Sequence, residues 1–141
     1  MRAMREISGA LAIAILATVV LIGCQADTSG LATVSVDELV TLRTGETVTV
    51  CDANGASARE KYGVIPGAVL LSSSGDYDVA SELPAEKASK VVFYCSSTMC
   101  SAAPKAARKA VAAGYTDVAV LPVGIKGWVD AGQAADPVPA G

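Results

Sequence analysis

The sequence contains no histidine. That excludes serine and cysteine hydrolases that rely on a His base, and it removes the commonest zinc ligand. Aromatic side chains are scarce, with one Trp and one Phe, and no basic stripe runs along the chain, so nothing here forms a stacking platform or an electrostatic footprint for nucleic acid. Charge is also thin: 11 Lys and Arg face 14 Asp and Glu, a net of −3. No internal repeat is visible, and 141 residues leave room for one domain and little more.

What the chain has in excess is apolar residues, and they are concentrated at its start. Arg2 and Arg5 precede Ile7 to Ile22, a run of alanine, glycine, small hydroxyl and large aliphatic residues that reads as an n-region and an h-region. The run ends in LIGC, Leu21 to Cys24. That ending resembles the lipobox of bacterial lipoproteins, in which the cysteine becomes the lipidated first residue of the mature chain. The resemblance implies a signal peptide over 1–23, a lipidated tether over 24–32, and a domain held outside the cytoplasm on a membrane surface through Cys24. An uncleaved transmembrane anchor is the alternative, although the run is slightly short for a span. Gln25 stands where inner-membrane retention in enteric bacteria calls for aspartate, which leans toward the outer membrane. Cleavage would take Arg2, Arg5 and Glu6 away, leaving nine basic and thirteen acidic side chains.

Cysteine counting follows from that assignment. With Cys24 given to lipid, Cys51, Cys95 and Cys100 remain, an odd number in an oxidising compartment, so at most one disulfide closes.

The remainder alternates strand and helix signals, which predicts a mainly parallel sheet. Asp27 to Ala32 is small and polar, suited to a flexible tether, and Thr33 to Ser35 is a brief strand candidate. Ser35 and Glu38 form a capping box opening a helix that stops near Gly45. Thr47 to Cys51 is a β-branched strand, Ser57 to Tyr62 is helical, Gly63 to Ala68 is a turn, and Val69 to Leu71 is again strand-like. Ser72 to Asp78 is a polar loop, with a helical turn at Val79 to Leu83. Lys90 to Tyr94 is a strand. The helix after it has Ser101 as N-cap, Pro104 in its first turn and Gly114 at its close. Val118 to Leu121 is the last strand, and Gly124 to Ala131 a short helix whose Ile125 and Trp128 pack on the sheet. The Pro- and Ala-rich tail, 133–141, reads as disordered.

The stretch VVFYCSSTMCSAAPKAARKAVAA, Val91 to Ala113, carries the chemistry. A loop from a buried parallel strand into a helix start turns its N–H groups toward one point, where the helix dipole adds positive charge. A cysteine there is pushed toward thiolate, the nucleophilic form. The other reading of Cys95 is a small buried hydrophobe ending a strand; the local pattern leaves both open.

Three blocks in order resemble a single-domain rhodanese: CDANGASAREKYGVIPGAVLL (Cys51–Leu71), VVFYCSSTMCSAAPKAARKAVAAGY (Val91–Tyr115) and DVAVLPVGIKGWVDAG (Asp117–Gly132). The resemblance implies an α/β fold over 33–132, with a central, mostly parallel five-stranded sheet flanked by helices, and a sulfurtransferase without cofactor or metal. Cys95 would take sulfane sulfur from a small donor as a persulfide and pass it to a thiol acceptor. The N–H groups of Ser96, Ser97, Thr98, Met99, Cys100 and Ser101 would cradle that persulfide, with the Ser97 and Thr98 hydroxyls adding hydrogen bonds. Asp52 matches the family's aspartate and is expected to order its turn. Asn54 stands where the family has arginine, and Val64 where it has histidine. The loop arginine that binds an anionic donor is replaced by Cys100, so thiosulfate should be a poor donor. Phosphatase and arsenate-reductase relatives carry an arginine at the position of Ser101, which argues against their chemistry here. Cys100 suggests a second function, a Cys95/Cys100 thiol–disulfide couple, and an inactive binding module is a third. Arg59 and Lys61 are the basic candidates for attracting a donor, or else a solvated helix face. Cys51 and Tyr94 read as core and as half-buried strand residues.

Overall fold

The computed structural model describes residues 26–45 and 47–138. Cys24, the segment expected to be a signal peptide and the last three residues therefore lie outside the described residues.

Five strands form one parallel sheet in the order β1-β5-β4-β2-β3. They are β1 (Ala32–Thr33), β2 (Val48–Asp52), β3 (Val69–Leu70), β4 (Lys90–Tyr94) and β5 (Val118–Leu121). β4 is the central strand, pairing Tyr94 with Asp52 of β2 and with Leu121 of β5. Because every neighbour is parallel, the carboxyl ends of β2, β4 and β5 emerge along one edge, the place where open α/β sheets bind ligands.

Alternation along β4 divides the core into two layers. Val91, Phe93 and Cys95 face α4 (Ala102–Ala112), in a cluster with Tyr77, Leu83, Tyr115 and Val120. Val92 and Tyr94 face the other side, packed with Leu39 of α1 (Val36–Thr44) and Ile125 and Trp128 of α5 (Gly124–Asp130). Strands buried on both faces need no polar alternation, hence the unbroken VVFY run. α4 buries Ala103, Ala106, Ala107 and Ala110 against the sheet; side chains this small let the helix axis lie close, tying the helix start to the end of β4.

Two shorter helices complete the elements of the described residues, α2 (Ala56–Tyr62) and α3 (Val79–Glu82). The capping box forms as expected: Ser35 N–H donates to Glu38 Oε2 at 2.7 Å, and Glu38 N–H donates to Ser35 Oγ at 3.2 Å. The Ser101 side chain, by contrast, makes no capping hydrogen bond and its backbone is already helical. The alanine run starts the helix without it, because the preceding loop turns directly into αR geometry.

Both ends of the domain are more ordered than their composition suggests. The small polar stretch expected as a free tether is docked from Ala26 onward: Ala26 N–H donates to Thr98 O at 2.7 Å, and the Arg108 guanidinium donates to Asp27 O and Ser29 O at 3.0 and 3.2 Å. Residues 133–138 of the tail expected to be disordered are likewise held. Val64 and Asp136 exchange backbone hydrogen bonds of 2.9 and 2.8 Å, and Trp128 Nε1 donates to Ala134 O. Gly63, with φ 76°, makes room for this contact, since a Cβ there would stand 2.7 Å from Asp136 O. Backbone partners elsewhere in the fold, invisible to local composition, hold both segments.

Candidate active site

The site is built where β4 stops. Cys95, the first residue after β4, is 3% exposed, with its thiol donating to Cys100 O at 3.3 Å. The intervening loop turns back on itself through Cys100 N–H to Ser97 O at 3.1 Å. It is pinned from outside at two more points. The Ile125 and Lys126 N–H groups at the start of α5 donate to Cys95 O and Ser96 O at 2.9 and 3.1 Å, and Ala26 holds Thr98 O. Gly124 permits the first of these. Its φ is 61°, and a Cβ would lie 2.5 Å from Cys95 O and 2.6 Å from the Ser96 carbonyl carbon.

The loop residues differ in exposure. Ser96 and Ser97 are half-buried, Thr98 and Ser101 are exposed, and Met99 is 71% exposed. Cys100 N–H is committed to Ser97 O, and Ser101 O accepts from Lys105 N–H inside the first turn of α4. The Ala103 and Ser96 N–H groups favour the Cys95 anion. Ala103 lies beyond the segment expected as cradle, because α4 begins close enough to present its own first-turn amides.

The two loop thiols differ in the direction opposite to a simple helix-start argument. Burial pushes Cys95 up to about 12, reinforced by its hydrogen bond to Cys100 and only partly opposed by the Ala103 and Ser96 N–H groups. Cys100 is half-buried. Burial acts on it too, but the Cys95 thiol and the Ser96 and Ala102 N–H groups outweigh that and lower it below the ordinary thiol value. In this resting arrangement Cys95 is thus a protonated donor, and the thiolate-favouring environment belongs to its neighbour. Cys51 is fully buried in the core, as expected, and burial pushes it up to about 12, with the charges of Glu82 and Asp52 adding to the effect.

Asp52 is fully buried at the end of β2 and orders its turn: its Oδ1 accepts from Asn54 N–H at 2.6 Å. It also has partners that sequence reasoning missed. Tyr94 O–H donates to Asp52 Oδ2 at 2.7 Å and accepts from Ile65 N–H at 3.0 Å. Arg59, far from being a solvated face, folds inward with its side chain 13% exposed. It donates to Asp52 O and Leu71 O at 2.9 Å, with its Nε 3.5 Å from Asp52 Oδ1. Arg59 is thereby used up holding the turn. Lys61 leans over the Tyr62 ring. Asn54 is buried and its Nδ2 has no partner. Tyr94 is fully buried, because a strand residue facing α1 and α5 has no route to water. The one available hint was a tyrosine in an otherwise apolar strand, whose hydroxyl needs a partner once buried.

Cys95, Thr98 and Cys100 form one side of a cavity of about 230 Å³, lined on the others by Ala26 and Thr28, the start of α4, and residues 120–123 at and after the end of β5. No group of metal-ligating side chains occurs among the described residues.

A thiol at the carboxyl edge of a parallel sheet, between a central strand and a helix start and beside a partly open cavity, defines a class of α/β proteins whose chemistry centres on one cysteine. This chain belongs to the rhodanese-like domain family, which matches residues 35–131. Solved structures share the fold. A thiosulfate sulfurtransferase from Pseudomonas aeruginosa is 21% identical over 76% of this chain and 20% of its own, with a TM-score of 0.64. The human single-domain sulfurtransferase TSTD1 is 23% identical over 72% of this chain and 97% of its own, at 0.58. A Rhodopseudomonas palustris protein described as a possible tyrosine phosphatase is 22% identical over 77% and 86%, at 0.62. No curated protein matches the chain in sequence.

Proposed function

We propose that this protein is a sulfurtransferase that works outside the cytoplasm, carrying sulfane sulfur as a Cys95 persulfide and tethered to a membrane by lipid on Cys24. The observation that carries the chemical part is the placement of Cys95 at the end of the central strand, in the wall of a cavity and beside the first amides of α4. After the Cys95 proton is lost to solvent, the thiolate attacks the outer sulfur of a donor. The donor's sulfur–sulfur bond breaks, its remainder leaves with the electron pair, and a thiol acceptor later takes the outer sulfur and returns Cys95 as thiolate. The Ala103 and Ser96 N–H groups supply the hydrogen bonds that a Cys95-bound anion needs.

Incubation with polysulfide followed by mass spectrometry should show one added sulfur on the peptide containing Cys95; no gain, with Cys95 demonstrably free, overturns the reading. For the anchor, the peptide beginning at Cys24 isolated from membranes should carry acyl chains. Cys24 is two residues from Ala26, at most about 7 Å of extended chain, so such an anchor would hold the cavity mouth near the bilayer surface.

The contact between the Cys95 thiol and Cys100 favours a second reading. The Cys100 thiolate would attack the inner sulfur of the Cys95 persulfide, forming a Cys95–Cys100 disulfide and expelling hydrosulfide. Cys100→Ser then retains the persulfide longer, read as slower sulfide release after loading.

A further inference from the structure

The cavity beside Cys95 carries information about the donor that the persulfide reading leaves open. Its walls include Ala26, Ala103, Pro104, Leu121 and Val123, and among the described residues no charged side chain lines it. All nine basic residues after the signal segment are accounted for elsewhere. Arg59 is spent on backbone carbonyls of the Asp52 turn, and Arg108 on the Asp27 and Ser29 carbonyls of the docked N-terminal stretch 26–31, the strap. Lys109 donates to Gly75 O, with Lys105 against the same glycine. Lys126 and Lys61 sit over Tyr62, Lys87 over Tyr115, Lys90 pairs with Asp117, and Arg43 donates to Pro66 O. A dianion placed here would lose its water and gain no cation.

The volume points the same way. A single water needs about 10–15 Å³ on this measure, so a cavity of about 230 Å³ is far larger than one transferred sulfur atom requires. The surplus is apolar wall, favourable only to a donor with an apolar body. Part of that wall comes from outside the family-matched segment, since Ala26 and Thr28 precede residue 35.

We propose that the cavity takes sulfane donors with an apolar body and at most one negative charge, such as organic thiosulfonates or alkyl persulfides, with the strap at 26–28 forming part of the binding wall. This rests on the sulfurtransferase reading and adds the donor class to it. For a thiosulfonate R–SO₂–S⁻, the Cys95 thiolate attacks the terminal sulfur and the sulfur–sulfur bond breaks. The sulfinate R–SO₂⁻ leaves with the electron pair, and Cys95–S–S⁻ remains. The apolar group R is untouched by the reaction, so its size reports on binding alone.

The test uses the purified full chain and a series of sodium thiosulfonates with R methyl, butyl and phenyl, alongside thiosulfate. Sulfur loading on Cys95 is timed by mass spectrometry and divided by each donor's rate with free cysteine. The corrected rate should climb from methyl to butyl, by up to about fourfold per methylene, with thiosulfate the slowest. Thr28→Trp, which fills the cavity from the strap, should flatten that climb. Equal corrected rates across the series, or thiosulfate matching the butyl donor, overturn the donor class and leave sulfurtransfer standing. No loading from any donor overturns sulfurtransfer itself.

Discussion

At the scale of single residues, the two loop thiols divide labour through burial. Cys95 is buried at the end of β4 and burial pushes it up to about 12, while Cys100, at the start of α4, is lowered by hydrogen bonds that favour its anion and outweigh its own burial. Iodoacetamide at neutral pH should therefore modify Cys100 before Cys95, and labelling of Cys95 should rise about tenfold per pH unit toward 12, since only the thiolate reacts. Peptide mass spectrometry across a pH series reads both. The fold favours the neutral thiol, so the stability Cys95 contributes is present below the ordinary thiol value near 9 and is lost as pH rises toward about 12. The Asp52–Tyr94 pair makes a second residue-scale prediction. Tyr94→Phe leaves both Asp52 Oδ2 and Ile65 N–H without their buried partner, each costing about 1–3 kcal/mol. Urea unfolding should show that loss. Tyr94 itself was legible only as a strand residue; its role depends on a partner 42 positions away.

Elements hold the loop more than the loop holds itself. The start of α5 grips Cys95 O and Ser96 O, and only a glycine at 124 lets the two segments approach. Gly124→Ala adds about 1–3 kcal/mol of backbone strain before the collision with the two carbonyls is counted. It should lower the denaturation midpoint and make Cys95 more accessible to alkylation, because the loop must swing away from α5. The strap is the second grip. Arg108→Ala removes the hydrogen bonds to Asp27 O and Ser29 O, so amide exchange at residues 26–31 should quicken while that of Val92 and Phe93 in β4 stays slow. In the sequence the strap looked like linker because its residues are small and polar. What holds it is backbone pairing to Thr98 and a helix arginine, and neither leaves a trace in local composition.

For the molecule as a whole, the parallel sheet and its two buried layers make Cys95, Asp52 and the end of β5 neighbours on one edge. The C-terminal segment closes the opposite layer. Ending the chain at Gly132 removes the acceptor of Trp128 Nε1 and the paired strand-like contact of Asp136 with Val64. Thermal unfolding of that variant should begin at lower temperature, with the loss concentrated in exchange protection of α5.

Hydrophobic periodicity, the capping box, the β-branched runs and the three ordered blocks determined the parallel α/β architecture and singled out Cys95, since those signals depend on neighbours within a few residues. The contents of the site came from tertiary structure: Arg59 turned inward, Gly124 beneath the loop, the start of α4 beside Cys95 and the strap lining a cavity with no charged side chain among the described residues. Thiol basicity was decided there too. A helix start favours thiolate and burial opposes it, and how deeply a strand end is buried depends on what the rest of the chain packs against it.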